Sequence, residues 1–600
     1  MVCYTELNII PDIRKHALAN AVDHNGKANA GSVIGKLIAE KPELKQSIQE
    51  WKPLVEKIVS EINTMLIESQ RKELKAIGYV KEEKEEKEKT LPVIDFVPVV
   101  RIAPNPDGAI HIGNARPAVL SDEYRKQYKG KFILRFDDTD PKVKTPEKKF
   151  YKIAEDSLKW LGIKWDKKII ASSRLNIYYK YAEQLVKDQH AYVCTCNPVK
   201  WKALKDKCQA CPCRSLDNSE QMKRWKTMLN ANNITKSSKD LVIGKMTELR
   251  SSEARDTTKS RNKIIKSYKD LVIDSYKEGE AVLRIKTDLN HPNPAIRDWA
   301  AMRIVGNPKH PFSKAHVWPL YNLASAIDDH LTRVNLVLRA QEHATNETKQ
   351  NYLYNYLGWK PPKVMILGRF LFREFVLSKS LTRKGIAKKI YTDWDDPKLG
   401  TLMALKRRGF SPQAIRNFII SIGVKSGDAI IAFENLAAFN KKIIDPMANR
   451  YFFVSNAQKI RIKSKSVIAK LPLHPNKRKK RILKAGSSLL ISANDLEDGK
   501  EARLIGLYNI ILRKNTSCTV INNDLEYAKG KHLRKIHWLP DDKKQIIKAS
   551  ILTPTGSING FVERNIIKEK PGSVIQLERF GFARIEKKSK NKIFLVFAHV

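Results

Sequence analysis

The spacing of apolar residues divides the chain into three regions. Between Lys27 and Leu66, apolar side chains recur every three or four residues, which predicts helices over residues 1 to about 90. From about 455 to 600 the period shortens to two, as in KIRIKSKSVIAKLPL and EARLIGLYNIIL, with Pro, Gly and Asn between the runs. This second pattern predicts short strands joined by turns, which is typical of β-barrels.

The region between these two alternates strands with helices. A strand is predicted at Val99–Ala103 and another at Lys131–Phe136, with a turn and a helix between them. This order predicts the first half of a doubly wound sheet, in which ligands lie beyond the carboxyl ends of the strands. Two further strand-like runs around a turn, at residues 280–305, predict a module inserted before the second half of the sheet.

The charge of the chain favours an anionic partner. Lys and Arg number 111 against 64 Asp and Glu, a formal charge of +47. A field of that size attracts polyanions such as RNA. A lysine-rich proteome would give the same excess, because the charge is spread along the whole chain, and we hold both explanations to apply.

Targeting signals and disulfides are not expected. No apolar run approaches the ~18 residues that span a bilayer, and the N-terminus lacks the layout of a signal peptide. Of seven cysteines, five are clustered between residues 194 and 213, which argues against a disulfide framework. We therefore expect a protein of the reducing cytoplasm without a membrane partner.

Two polar segments carry no predicted chemistry. The run Lys81–Lys89 (KEEKEEKEK) is interpreted as a solvated helix end or linker. Further on, KSSKDLVI at 236–243 recurs as KSYKDLVI at 266–273, and two copies are too few for a repeat architecture. We interpret the segment as a duplicated surface insertion whose lysines face solvent, with RNA contact as the less favoured alternative.

The turn after the first strand has the composition of a phosphate site. Pro104, Pro106 and Gly108 set the turn, and Gly108 is expected to supply a positive φ. The helix that follows begins near His111, where unpaired backbone N–H groups favour phosphate. We expect Gly113 to leave room for a ligand against the backbone.

These residues carry a resemblance. The run RIAPNPDGAIHIG followed by RFDDTDP resembles the HIGH signature region of class I aminoacyl-tRNA synthetases, in the glutamyl/glutaminyl branch. Asn114 departs from the motif, which has His there, but keeps a hydrogen-bond donor. The helical N-terminal region and the segment Phe439–Val454 resemble the archaeal-type glutamyl enzymes.

A second signature lies far along the chain. VLSKS (residues 376–380) resembles the family's KMSKS loop, degenerate in its first two positions. A mobile Lys379 can follow charge onto the separating phosphates. The resemblance implies that His111 and Lys379 are the catalytic residues and that ATP with Mg2+ is bound by a set of turn and loop residues. They are Pro104, Pro106, Gly108, His111, Gly113, Asn114, Ser378, Lys379 and Ser380.

The amino-acid pocket is inferred from charge within this resemblance. Arg101 and Arg339 are expected to bind carboxylates, and Asp137 with Tyr321 the ammonium group. Glutamine would leave one guanidinium facing a neutral amide, so glutamate is preferred. The acids near Asp137 could instead hold a metal, although no third ligand cluster stands nearby. Arg333 occupies a position that is usually Gly in the family, and the sequence gives no account of it.

The clustered cysteines suggest a metal. Cys194-x-Cys196 and Cys211-x-Cys213 form two pairs suited to a tetrahedral Zn2+ site, with Cys208 as a substitute ligand. Some members of the family carry zinc here and many do not. Buried or incidental thiols are the alternative.

The RNA-facing residues are predicted in the last third of the chain. The segment Leu399–Arg416, rich in Arg and Lys, is expected to lie along an inner RNA surface, and Lys477–Arg481 to form an exposed basic strand edge. Phe580 and Phe582 are candidates for stacking on bases, but core packing is the favoured interpretation of both.

The resemblance implies a multidomain α/β plus all-β protein with a split Rossmann-type catalytic domain. The expected divisions are an N-terminal helical region (1–90), the first Rossmann half (91–195), an acceptor-stem-binding insertion (196–312), the second half (313–385), a helical connecting domain (386–454) and a β-barrel anticodon-binding region (455–600).

The implied activity is a two-step ligation. L-Glutamate reacts with ATP to give glutamyl-adenylate and pyrophosphate, and the glutamyl group passes to the 3′ end of tRNA(Glu), with tRNA(Gln) left open as a second acceptor. Positioning and charge stabilisation would supply the catalysis. The alternatives are a glutaminyl-tRNA synthetase and a catalytically silent RNA-binding relative.

Overall fold

The computed structural model describes residues 6–24, 26–45, 47–78, 91–233, 275–464, 466–513 and 516–600. The charged run 81–89 and both copies of the repeat (236–243 and 266–273) lie outside the described residues. The chain forms two compact units, residues 1–88 and residues 89–600, which are described separately. No helix among the described residues combines the length and apolar character needed to cross a bilayer.

The first unit is helical. Its helices are α1 (Glu6–Asp23), α2 (Ala30–Glu40), α3 (Ile48–Thr64) and α4 (Ile67–Ala76). Leu37, Trp51, Val55 and Ile62 are buried together, so the helical spacing predicted from the sequence is confirmed. Asn29 caps α2 by accepting from the Ser32 amide, which satisfies one of the N–H groups that a helix start leaves unpaired.

The second unit begins with a mixed α/β region. Its strands are β1 (Val99–Ile102), β2 (Lys131–Phe136), β3 (Lys167–Ile170), β4 (Ala191–Cys194), β5 (Val282–Ile285), β6 (Ala300–Ile304), β7 (Val317–Pro319), β8 (Leu336–Ala340), β9 (Lys363–Leu367), β10 (Phe370–Phe372) and β11 (Ala429–Ile431). Its helices are α5 (Ile112–Gln127), α6 (Lys148–Trp160), α7 (Leu175–Lys187), α8 (Pro198–Asp206), α9 (Asn218–Leu229), α10 (Tyr321–Leu331), α11 (Ala344–Tyr356), α12 (Lys379–Ala387), α13 (Leu402–Arg408), α14 (Pro412–Ile422) and α15 (Phe433–Ile444).

A split parallel sheet forms the centre of this region. The order is β3-β2-β1-β8-β9, and every pairing is parallel. The central strands are short and almost wholly apolar, as strands covered on both faces must be. Because β1 pairs with β8, the carboxyl ends of strands from the two halves of the sequence meet at one edge.

A separate antiparallel sheet, in the order β4-β5-β6-β7, is inserted between the two halves of the parallel sheet. The two strand-like runs predicted at residues 280–305 are β5 and β6, so that prediction is confirmed. Arg333 follows α10 with φ of +58°, the left-handed conformation that favours glycine. This geometry explains why a glycine would suit the position.

The C-terminal region contains the strands β12 (Arg450–Tyr451), β13 (Phe453–Ser455), β14 (Ala457–Ile462), β15 (Val467–Pro472), β16 (Lys480–Ala485), β17 (Ser488–Ser492), β18 (Glu501–Leu504), β19 (Asn509–Leu512), β20 (Ser517–Asn522), β21 (Arg534–Ile536), β22 (Leu539–Pro540), β23 (Ile546–Thr553), β24 (Gly556–Glu563), β25 (Val574–Leu577), β26 (Gly581–Lys588) and β27 (Lys592–His599), with one helix, α16 (Leu525–Gly530). They form two barrel-like sheets of seven strands and a β15–β16 hairpin. The period-two prediction is confirmed.

Two expectations about the RNA-facing residues change, and a third stands. Arg408 and Arg416 are buried: Arg408 donates to the Phe597 and Ala598 carbonyls, and Arg416 to the Leu161 carbonyl, so both tie α13 and α14 to neighbouring layers. Arg481 is also buried, because β16 turns alternate side chains inward. Phe582 lies fully in the core, as favoured, and the partly buried Phe580 packs against the rings of Phe453 and Phe597.

Candidate active site

The turn between β1 and α5 is held by contacts from the distant residues 394–402. His111 caps α5, and its Nδ1 accepts a 3.3 Å bond from the Asn114 amide. The Ile112 amide donates to the Gly400 carbonyl at 2.9 Å, so the helix start is anchored by a residue far along the chain. The first turn of α5 therefore has a defined position, with its Ile112 and Asn114 amides already hydrogen-bonded within the chain.

Gly108 in the turn and Gly113 in the first turn of α5 both lie against neighbouring side chains. Gly108 does not have the positive φ expected from the sequence, and a Cβ there would lie 2.4 Å from the Trp394 ring. Glycine is therefore required at position 108 because the Trp394 indole approaches so closely. A Cβ at Gly113 would lie 3.0 Å from His111 Nδ1, so the space beside this glycine is taken by the imidazole.

Lys379 reaches this turn from the second half of the sheet. It begins α12, which Ser378 caps by accepting from the Leu381 amide. Its ammonium donates to the Asn105 carbonyl at 2.6 Å and to Asp107 at 3.0 Å. Burial lowers the pKa of Lys379, and Asp107 opposes that shift. The lysine is thus seated on the turn that precedes His111.

The imidazole and the ammonium share one cleft. Burial, together with the charge of Lys379, lowers the pKa of His111 to about 4. His111 is therefore neutral near pH 7 and acts as a hydrogen-bonding group. Ser378 and Ser380 stand beside the lysine with their hydroxyls 3.1 Å apart, while Asn114 is exposed on the first turn of α5. Pro104 and Pro106 lie in the turn itself.

Three buried arginines occupy the carboxyl ends of β1, β2 and β8. Arg101 makes a bidentate pair with Asp329, at 3.0 and 3.1 Å. Arg135 bridges Asp329 and Asp137, each at 2.6 Å. Although burial raises it, the two guanidinium groups lower the pKa of Asp329 to about 2. Burial raises the pKa of Asp137 in spite of Arg135.

Arg339 differs from its two neighbours. Its Nη1 and Nη2 both donate to the Gln350 carbonyl oxygen at 3.1 Å, and its buried Nε has no partner. Among the described residues no carboxylate lies within ion-pair distance of it. Burial lowers the pKa of Arg339. The three arginines and the two acids that they hydrogen-bond, Asp137 and Asp329, therefore sum to +1, and Glu347 acts on Arg339 only from beyond ion-pair distance.

Two residues of α11 bring unsatisfied polar atoms towards this guanidinium. Gln350 Nε2 and the Tyr354 hydroxyl are buried without a hydrogen-bond partner, as is Asn322 Oδ1 on α10. Tyr321, at the start of α10, lies with its ring 6.0 Å from that of His343. Buried polar groups are rarely left unpaired, so a cluster of them beside an uncompensated cation marks a site for a polar, anionic ligand.

The other acids after β2 are structural. Asp138 accepts from Tyr151 at 2.6 Å and from Ser172, while Asp140 accepts from Arg303 at 2.6 Å. Neither belongs to a group of metal ligands in the part of the chain that the structure describes. The Asp137 amide donates to the Pro104 carbonyl at 3.2 Å, which places the pocket beside the turn between β1 and α5.

Four cysteines meet in the inserted module. The sulfurs of Cys194, Cys196, Cys211 and Cys213 all lie within 4.8 Å of one another. The Cys194–Cys211 and Cys196–Cys213 sulfurs are 3.8 and 3.6 Å apart. Hydrogen bonds from the neighbouring thiols lower the pKa of Cys213. Cys208 lies outside the cluster, so the expected substitute ligand is not needed.

Several residues of the site were not assigned a role from the sequence. Asn105 and Asp107 hold Lys379, and their position in the turn gave no sign of it. Gln350 and Tyr354 stand four residues apart on α11, a spacing that puts both on one helix face. That spacing was the available signal, but the identity of the pocket they face depends on tertiary packing.

Comparisons with known proteins point to one family. A model described as "tRNA synthetases class I (E and Q), catalytic domain" matches residues 98–274 and 240–446. Two models described as the anti-codon binding domain of the same class match residues 448–528 and 535–586.

Full-length relatives come from archaea. The glutamate–tRNA ligase of Pyrococcus furiosus is 45% identical and covers 98% of both chains. That of Thermococcus onnurineus is 43% identical over 99% of this chain and 100% of its own. A solved glutamate tRNA ligase from Elizabethkingia meningosepticum matches at 19% identity and a TM-score of 0.37, over 59% of this chain and 71% of its own.

Proposed function

We propose roles for individual residues from one premise: the chain belongs to the class I family of glutamyl- and glutaminyl-tRNA synthetases. Its activity is glutamate–tRNA ligation, with glutamate, ATP and tRNA as substrates. The geometric observation that supports this most directly is a single edge of the sheet at which His111 and Lys379 stand beside a pocket of net charge +1.

The ATP site is proposed at the start of α5. The triphosphate, bound with Mg2+, would lie against the first turn of α5, at the positive end of the helix dipole, and contact the side chain of Asn114. Lys379 would leave Asp107 for the phosphates and stabilise the charge that develops as pyrophosphate departs. The Lys379 ammonium now lies 2.6 Å from the Asn105 carbonyl, so a short movement of the side chain would bring it to the proposed phosphates.

The glutamate site is proposed at the ends of β1, β2 and β8. Arg339 is the first carboxylate ligand, because its charge has no partner among the described residues. Arg101 keeps a role as a second cation, although Asp329 already binds its Nε and Nη2. Asp137, with its side chain partly exposed and held by Arg135, is proposed with Tyr321 to accept the ammonium group.

Positioning then accounts for the two steps. The pocket holds the α-carboxylate of glutamate near the α-phosphorus, and the Asp137–Pro104 backbone bond fixes the spacing between pocket and turn. The carboxylate attacks phosphorus and pyrophosphate leaves. The terminal ribose hydroxyl of the tRNA then attacks the carbonyl carbon and AMP is released, so no covalent enzyme intermediate is required.

The RNA is proposed to contact three parts of the second unit. The antiparallel module between the two sheet halves would receive the acceptor stem, and the two barrel-like sheets the anticodon. The net charge of +47 supports phosphate contacts along the way. We propose tRNA(Glu) as the acceptor in the cytoplasm, where the six free thiols of the described chain remain reduced.

A structural Zn2+ is proposed in the cysteine cluster. Zn–S bonds of about 2.3 Å in a tetrahedron place sulfurs about 3.8 Å apart. The 3.6 and 3.8 Å separations found here fit that arrangement. Four protein ligands close the coordination sphere, so the ion would stabilise the module and take no part in the ligation. Metal analysis should give one zinc per chain, retained in Cys208→Ser and lost in Cys211→Ser.

Aminoacylation of purified tRNA isoacceptors with labelled glutamate tests the function. The expected result is charging of tRNA(Glu) with glutamate and none with labelled glutamine. A reaction with tRNA(Gln) measures whether it serves as a second acceptor. Charging with glutamine alone would establish the glutaminyl alternative, and no charging with either amino acid would establish the silent RNA-binding relative.

The role of Lys379 has its own test. Lys379→Ala should slow ATP–pyrophosphate exchange by at least about 100-fold, because a charge aimed at the reacting phosphates contributes several kcal/mol. Lys384→Ala, in the same helix, is the matched control and should exchange at the wild-type rate. Equal rates for Lys379→Ala and the wild type would remove Lys379 from the mechanism.

A further inference from the structure

The partner of Arg339 is a neutral amide, whereas its two neighbours are paired with carboxylates. Arg101 and Arg135 donate to Asp329, and Arg135 also donates to Asp137. Arg339 donates both terminal nitrogens to one oxygen of Gln350. Within one pocket, two arginines therefore have carboxylate partners and the third has only a neutral amide.

Gln350 is built into the pocket wall. It lies on α11 with 2% of its surface exposed, and its amide nitrogen has no hydrogen-bond partner. Tyr354, one helical turn further on, also has a buried hydroxyl without a partner. Because two bonds from Arg339 converge on one oxygen, the plane of the guanidinium is restrained while its Nε–H stays unpaired.

The neutrality of this amide sets the charge of the pocket. A carboxylate at position 350 would pair with Arg339 as Asp329 pairs with Arg101, and the sum over the five charged groups and position 350 would fall from +1 to 0. The pocket would then offer no unpaired cation to a substrate carboxylate. A buried cation that has no partner costs free energy that an incoming anion recovers.

We propose that Gln350 is a specificity-determining positioning residue, which orients Arg339 for the side-chain carboxylate of glutamate and leaves its charge free. Glutamate and glutamine differ only in that side-chain group, so an uncompensated Arg339 is what separates them. The inference rests on the proposed function, since it concerns the amino acid that the ligase activates.

The substitution Gln350→Glu tests it with almost no change in volume. ATP–pyrophosphate exchange is measured with the tRNA present, against glutamate and against glutamine. The KM for glutamate should rise by at least ten-fold, while kcat and the KM for ATP stay within about three-fold of wild type. The ratio of kcat/KM for glutamate over glutamine should fall by at least ten-fold.

Two further variants separate charge from shape. Gln350→Met removes the acceptor without adding charge, so its KM for glutamate should rise only a few-fold and its glutamate-to-glutamine ratio should stay near wild type. Asn351→Asp adds the same charge on the next residue of α11, which faces a different side of the helix, and should leave both quantities unchanged.

The outcomes are distinct. An unchanged glutamate KM in Gln350→Glu would overturn the inference, as would equal ratios in Gln350→Glu and Gln350→Met. If Gln350→Glu does not fold, Gln350→Met decides the matter: a few-fold rise in its KM for glutamate with an unchanged ratio supports the orienting role, whereas an unchanged KM, or a fall in the ratio, overturns the inference. Failure of the wild-type protein to exchange with glutamate would instead overturn the proposed function.

Discussion

Two buried sites in the second unit combine arginine with acidic side chains, but they differ in the ratio of positive to negative charge. In the glutamate pocket, three guanidinium groups face two carboxylates, and Arg339 has only an amide. At the junction of the two barrel-like sheets, Arg481 alone faces Glu563 at 2.9 Å and Glu578 at 2.5 Å, and it also donates to the Pro472 carbonyl.

The pairing of the guanidinium charge distinguishes the ligand site at Arg339 from the structural contact at Arg481. Arg481 satisfies its donors within the chain and lies 4.8 Å from the centre of the Phe452 ring, so it joins β16 to the sheet that contains β24. Arg339 keeps an unpaired Nε–H and an uncompensated charge. Arg481 is thus fully paired within the fold and holds layers together, whereas the charge of Arg339 has no carboxylate partner and is available to a substrate.

The largest expected effect is on the junction. Arg481→Met should lower the free energy of unfolding of the barrel-like sheets by about 3–5 kcal/mol near pH 8, because two acids would remain without their cation. Region-resolved hydrogen exchange should show faster exchange in β16 and β24. Exchange of β1 and β8, and the KM for glutamate, should stay as in wild type; a raised KM would contradict the structural role.

In the glutamate pocket, a substitution is expected to impair kinetics and not stability. Arg339→Gln should reduce kcat/KM for glutamate by at least about 100-fold, since a charge-paired contact of about 2–5 kcal/mol is lost. The melting temperature should be unchanged or higher, because an unpaired buried charge is removed. Steady-state exchange kinetics and calorimetry measure the two quantities. A strongly destabilised protein with normal glutamate kinetics would show Arg339 to be structural like Arg481.

The two clusters should respond differently to pH. Burial raises the pKa of Glu563 to about 7 from its usual 4.5, so its stabilising contribution is complete below 4.5 and is lost as the pH rises through 7. That shift corresponds to about 3 kcal/mol. Asp329, with its pKa lowered to about 2, contributes throughout this range and loses its contribution only in stronger acid.

The variant Glu563→Gln isolates this difference. Urea unfolding is followed for both proteins at about pH 5 and about pH 8. The stability of wild type relative to Glu563→Gln should fall between the two values, whereas Asp329 contributes nothing to the change. A constant difference would mean that Glu563 titrates near its ordinary pKa.

The smallest effect concerns backbone strain in the turn that precedes β8. Arg333 has φ of +58°, and Arg333→Gly should stabilise the catalytic region by about 1 kcal/mol, because glycine adopts that conformation without a Cβ clash. Calorimetry should show the shift in the catalytic transition and none in the barrel-like sheets. Arg373→Gly, at an exposed residue without positive φ, is the control and should gain nothing.

Much of the fold could be predicted from local pattern. The helical spacing around Trp51 and the period-two segments after residue 455 describe elements whose burial follows from sequence neighbours. Predictions about individual basic and aromatic residues fared less well. Arg408, Arg416 and Arg481 were expected at an RNA surface, yet the packing of other layers buries all three.

The sequence by itself determined which functional groups the protein carries and where they lie along the chain: the turn before His111, the lysine in VLSKS, the arginines at strand ends and the paired cysteines. Tertiary structure alone decided which of these charged groups already have a partner within the protein. The pairs Arg101–Asp329, Arg339–Gln350 and Lys379–Asp107 depend on strand register and helix placement, which no local pattern encodes. An ion pair is a contact in space, so only the folded chain distinguishes the arginine that binds a substrate from the arginine that binds the protein.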